Sequence, residues 1–126
     1  MGFGGSPPSG GGPSGPELGS SINYVAAAGA IHDINPAGFG AGVGAIIVTN
    51  GGGATSCSGL AAGSEGQTVR VTYADTGSFT LQSLNGGSAA ANRFEGFADQ
   101  TLLKGMSVLL QYRGALNGGN GAWGMA

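Results

Sequence analysis

The chain has 126 residues, enough for one domain, of which 29 are glycine, about three times the usual ~7%. Charged residues make up 8% and the net charge is −2, against a typical charged fraction of ~25%. The four basic residues, Arg70, Arg93, Lys104 and Arg113, give no stripe able to neutralise several phosphates, which excludes a nucleic-acid surface.

Mean hydropathy is +0.14, so with so few charges the surface must be built from Gly, Ser, Thr, Asn and Ala. Such a surface suits packing against other protein better than life as a solitary, highly soluble monomer. Apolar runs such as residues 45–48 and 108–110 fall far short of the ~18 residues of a membrane span, so no membrane partner is expected. Neither a basic start nor a continuous apolar stretch marks a signal peptide. The lone Cys57 excludes an internal disulfide framework and points to synthesis in a reducing cytoplasm.

Residues 1–19 hold four of the five prolines, Pro7, Pro8, Pro13 and Pro16, with Phe3 and Leu18 as the only large apolar side chains. This stretch cannot build a core and reads as a flexible or extended arm. Its prolines stiffen the strap and lower the entropy lost when it is laid on a surface, and Phe3 and Leu18 are anchors for a partner's groove. The arm is therefore the expected partner-binding element.

Residues 20–126 read as one all-β domain. Ile22-Asn23-Tyr24 begins an alternation that ends at Asn35-Pro36, giving strands at about 22–26 and 30–34. Residues 43–49 are a β-branched run closed by Asn50-Gly51-Gly52-Gly53, the clearest buried strand and turn in the chain. A weaker alternation follows over 54–60. In residues 67–73, Val69, Val71 and Tyr73 share one face, as do Phe79 and Leu81 in residues 79–84. With Asp75-Thr76-Gly77-Ser78 between them, these two runs are expected to form an antiparallel hairpin. Ala89-Ala90-Ala91 is a helix-friendly triplet, too short to nucleate alone. Phe94 and Phe97 are expected as plugs over the end of the domain, and Met106, Val108, Leu110 and Tyr112 as inward residues of the last strong strand. Strand signals every 8–15 residues without helices between them predict a single antiparallel β-sandwich or jelly-roll-like domain.

No set of residues composes a catalytic centre. The sole histidine, His32, adjoins Asp33, but sequence neighbours in a strand point to opposite faces. One His and one Cys do not make a zinc site. Glu65, Asp75, Glu95 and Asp99 read as turn carboxylates rather than a glycosidase pair or a calcium loop. Lys104 is followed by Gly105, so no phosphate loop is present. The expectation is a protein without enzymatic activity, metal or cofactor.

One pattern is specific in its order and spacing: Ser88-x-x-x-Asn92-Arg93-Phe94, then Thr101-Leu102, then Gly105-x-Ser107-Val108-x-Leu110-x-Tyr112, ending near Trp123. Upstream lie Asn35-Pro36-x-Gly38-Phe39, Gly59-Leu60-x-x-Gly63-x-x-Gly66-Gln67-x-Val69-x-Val71 and Gly77-Ser78-x-Thr80-Leu81. Together these resemble a small β-sandwich module of tailed-bacteriophage virion proteins, found in head decoration (cement) proteins, tail fibres and tailspikes. The resemblance implies a sandwich that trimerises within a virion. Asn92, Arg93, Phe94 and Tyr112 are expected to form a structural latch, with Arg93 forking donors onto loop carbonyls and Phe94 entering the core. No coiled coil, shaft repeat or second domain accompanies the module, which together with the arm favours a capsid decoration protein bound to the major capsid protein as a homotrimer. The alternative is a tail fibre or receptor-binding tip contacting host glycans, which requires exposed aromatic residues in the loops at 51–53, 85–88 and 117–121.

Overall fold

A computed structural model describes residues 20–95 and 98–125. The arm and Phe97 lie outside the described residues. Ten strands and two single 3-10 turns make up the regular structure there. The strands are β1 (Ser20–Val25), β2 (Gly29–Ile31), β3 (Val43–Thr49), β4 (Ala54–Cys57), β5 (Thr68–Tyr73), β6 (Ser78–Leu81), β7 (Phe94–Glu95), β8 (Gln100–Leu102), β9 (Ser107–Arg113) and β10 (Ala122–Met125). They form two sheets, ordered β1-β3-β5-β9-β10-β7 and β2-β4-β6-β8. Side chains from both sheets contribute to one core.

The alternation read from the sequence survives in the strands. Val69, Val71 and Tyr73 are buried, as are Phe79 and Leu81, and Val108, Leu110 and Tyr112. Met106 does not share that face: it is exposed and closes a turn, its amide donating to the Leu103 carbonyl at 2.9 Å. Gly105 holds that turn with φ of 85°, a left-handed conformation that a side chain disfavours.

Pairing departs from the expected antiparallel order. The sheets are mixed, with β1-β3, β3-β5, β2-β4, β4-β6 and β7-β10 all parallel. Antiparallel pairs join β5 to β9, β9 to β10 and β6 to β8. The expected hairpin of β5 and β6 does not form, because the two strands lie in different sheets. A parallel neighbour requires a long crossover, usually a helix. Here a strand of the opposite sheet serves instead: β2 carries the chain from β1 to β3, and β4 from β3 to β5.

The first six strands thus wind as three coils of nearly constant length. Ile22 lies opposite Ile46, 24 residues on, and Ile46 opposite Val71, 25 on. In the second sheet Gly29 lies opposite Thr55, 26 on, and Thr55 opposite Phe79, 24 on.

Asn50 fastens the corners of these coils. Its Nδ2 donates to the Gly53 carbonyl, Thr55 Oγ1 and the Ser78 carbonyl, each at 3.0 Å, and its Oδ1 accepts from the Tyr73 hydroxyl at 2.5 Å. Thr55 Oγ1 in turn donates to the Ala27 carbonyl at 2.7 Å, so one buried network spans all three coils. Gly77 lets the corners nest, since a Cβ there would collide with the Gly53 carbonyl.

Replacing Asn50 by Ala removes the acceptor of the Tyr73 hydroxyl and a donor to the Gly53 and Ser78 carbonyls, while the Gly53 carbonyl keeps the Ser78 amide, a loss of about 1–3 kcal/mol. Urea unfolding of Asn50→Ala checks this, and a midpoint equal to that of the parent chain would refute the network's role.

Candidate functional site

The densest side-chain network outside the Asn50 corner gathers where the chain returns from β6 to β7. After β6 the backbone crosses a 3-10 turn at Ala90–Asn92 and enters β7. The triplet Asn92-Arg93-Phe94 is held to both sheets through its main chain. Arg93 bridges Gly59, and Phe94 bridges Ser83, on the extensions of β4 and β6. The Trp123 amide of β10 donates to the Arg93 carbonyl at 2.9 Å, and the Leu60 amide to the Asn92 carbonyl at 2.9 Å.

Side chains reinforce the junction. Arg93 Nε donates to the Ser88 carbonyl at 2.9 Å, and Asn92 Nδ2 to Asp33 Oδ1 at 2.9 Å. Phe94 is buried. The Tyr112 hydroxyl donates to the Ala91 carbonyl at 2.9 Å, and its ring meets Trp123 edge-on at 5.2 Å. Trp123 is fully buried, its Nε1 within 3.2 Å of both the Leu60 and Ala61 carbonyls. The four residues singled out from the sequence are therefore gathered around one junction.

Beneath them runs a chain of hydroxyls that the sequence did not signal. The Asp33 amide donates to Ser88 Oγ at 2.9 Å, Ser88 Oγ lies 2.7 Å from Ser58 Oγ, and Ser58 Oγ lies 2.5 Å from His32 Nδ1. With Nδ1 as acceptor, Ser58 donates to His32 and Ser88 can donate to Ser58; Ser58 Oγ also lies 3.4 Å from the Ile31 carbonyl. Ser58 and Ser88 are buried whereas the imidazole is exposed. Glycine is needed at two positions here: a Cβ on Gly59 would strike Ser88, and one on Gly87 would strike the His32 ring. Ser88 opens the motif read from the sequence, and Ser58 falls in the weak alternation over 54–60.

Asp33 does not orient His32. Its Oδ1 accepts from the Ala89 amide at 2.8 Å and from Asn92. The Asn92 amide, helped by the Ala89 backbone N–H, holds the Asp33 carboxyl below the usual aspartate range. Asp75 is lowered likewise, by the Thr76 and Asn50 backbone N–H groups. The remaining described carboxylates also accept turn amides, Glu65 from Gly114, Glu95 from Asn117 and Asp99 from Ser83. Each serves a different loop, and among the described residues no group of three or more His, Cys, Asp or Glu comes together as a metal site. Cys57 is buried, and loss of hydration pushes its thiol up to about 12.

No family model, curated protein or solved structure matches the chain.

Because Asp33 and Asp75 titrate lower when folded, their contribution is complete above the ordinary aspartate value of 3.8. It is lost as pH falls through the lowered folded value. Thermal midpoints should drop on acidification below about pH 4, and the double variant Asp33→Asn, Asp75→Asn should show a shallower drop. An unchanged acid limb in that variant would contradict the assignment. Cys57 should resist a thiol-specific chromophoric reagent in the native protein and react fully in denaturant; rapid native labelling would show it to be accessible.

Proposed function

We propose that this chain is a structural protein of a bacteriophage virion, a decoration protein that binds the outer capsid shell as a homotrimer and stabilises it. The observation that carries the reading is the outward face of the larger sheet. One row across β1, β3, β5 and β9 consists of Asn23, Ile47, Thr72 and Ser107, and the next of Ser21, Ala45, Arg70 and Leu109. Arg70 is the one charge in these two rows. Val25, at the end of β1, is 78% exposed.

A broad β face with Ile47 and Leu109 across it and almost no charge is the surface of a protein completed by its own kind. In this reading three copies pack through it, and the arm, with Phe3 and Leu18, binds the major capsid protein. In this reading the two sheets act as a rigid β-sandwich, and Asn92, Arg93, Phe94 and Tyr112 are its latch. The protein has no catalytic centre, cofactor or nucleic-acid partner, and it is made in the host cytoplasm before joining the particle. The tail-fibre alternative loses its best aromatic, because Trp123 is fully buried rather than offered to a glycan.

Sedimentation at micromolar concentration should show three chains per particle. Ile47→Glu, which changes an outward side chain without touching the core, should weaken association at least tenfold by burying an unpaired charge. A parent protein that sediments as a monomer would overturn the trimer. Equal shell binding by intact protein and by protein lacking residues 1–19 would overturn the role of the arm.

A further inference from the structure

Four asparagines, Asn50, Asn85, Asn117 and Asn120, are each followed by glycine. Such a pair is prone to react with itself, because no Cβ crowds the following nitrogen as it closes on the side-chain amide. The fold treats the four differently. Asn50 is held on every side: Nδ2 donates to three acceptors, Oδ1 accepts from Tyr73, and the Gly51 nitrogen donates to Asp75. At Asn117, Nδ2 donates to the Ala90 carbonyl at 3.0 Å. At Asn120, Nδ2 donates to the Asn117 carbonyl at 2.9 Å, and the Gly121 nitrogen donates to the Leu116 carbonyl at 3.0 Å. In these three the nitrogen that would have to leave is tied down.

We propose that Asn85 is a self-modification site, converting to aspartate and isoaspartate through intramolecular attack by the Gly86 nitrogen. Here the side-chain bond runs through Oδ1, which accepts from the Gly87 amide at 2.8 Å. This Asx turn closes a ring that holds both Asn85 Cγ and the Gly86 nitrogen, bringing together the atoms that must join in a five-membered imide. The Gly87 N–H also points at the oxygen on which charge develops, as an oxyanion donor does. Gly86 and Gly87 are exposed, so base and water reach the turn. Base takes the Gly86 amide proton, the nitrogen bonds to Cγ, and the charge on Oδ1 collapses to break the Cγ–Nδ2 bond. Nδ2 leaves as ammonia, taking the proton back from the base. Water then opens the imide at either carbonyl, leaving aspartate or, with the main chain rerouted through the side chain, isoaspartate.

This turn sits at the root of the junction. The Ser88 amide donates to the Asn85 carbonyl at 3.4 Å, and Ser88 Oγ begins the hydroxyl chain to Ser58 and His32. Asn85 Oδ1 and His32 Nδ1 both lie within 3.1 Å of the point where a Cβ on Gly87 would stand. Isoaspartate adds one carbon to the main chain just ahead of this tight packing, so the junction around Asn92, Arg93, Phe94 and Tyr112 loosens as the protein ages. Nothing in this chemistry depends on the virion reading.

Peptide mapping by mass spectrometry on the full-length chain, aged at mildly alkaline pH, tests it. In the native protein Asn85 should convert roughly tenfold faster than Asn50, Asn117 or Asn120, whereas in denaturant the four should convert at similar rates. Gly86→Ala should slow conversion of Asn85 roughly tenfold; nothing lies within 4 Å of the new Cβ, so the fold accommodates it. The melting temperature of the parent should fall with age while that of Gly86→Ala holds. A native Asn85 that stays intact, faster native conversion at another of the four, or an Asn85 indifferent to Gly86→Ala would each overturn the proposal. A parent that converts at Asn85 yet keeps its melting temperature would overturn the coupling to the junction.

Discussion

Each parallel pair in the first half of this protein depends on a strand of the opposite sheet to carry the chain back. That constraint fixes the rest of the architecture. A crossover made of strand rather than helix must turn two corners per coil, and the corners must nest. Glycine supplies the nesting at Gly77, where the approach of the Gly53 carbonyl leaves no space for a Cβ. Asn50 supplies the fastening, linking the corners of all three coils from the interior. The high glycine content is therefore tied to the winding as well as to the arm.

The coil ends differently on its two sides. At the far side β8 and β9 reverse direction and pair antiparallel with the third coil, and Asn92-Arg93-Phe94 then binds extensions of the second sheet on one side and β10 on the other. Trp123 packs beneath that junction. At the near side, among the described residues, β1 and β2 each have one neighbouring strand, and their inward residues are partly covered. The far end is closed by this junction, whereas the near end and the outer face, where Arg70 is the one charge in the two central rows, are less covered among the described residues.

Much of this was legible in the sequence. The strands at β3, β5, β6 and β9 followed from β-branched runs and strict alternation, and the turn chemistry at Asn50 and Asp75 marked where they stop. Their pairing was not legible, because alternation reports which face of a strand is buried and is silent on which neighbour it meets. Asp75-Thr76-Gly77-Ser78 has the composition of a hairpin turn, yet it passes the chain from one sheet to the other; what decides is the Gly53 carbonyl stacked on it, a contact from 24 residues earlier. The coil length was hidden for a related reason, since Ile22, Ile46 and Val71 share a column without sharing a local motif. At the junction, Asn92 and Arg93 were visible as a triplet with Phe94, while Ser58 and Ser88 carry no signal beyond being small and polar.

The account stands on the winding of the first six strands, and cross-strand nuclear Overhauser effects test it most directly. Alternate winding predicts parallel-type contacts linking Ile47 with Thr72 and Ser56 with Thr80, and none joining β5 to β6 as a ladder. A continuous antiparallel set of contacts between residues 68–73 and 78–81 would contradict it.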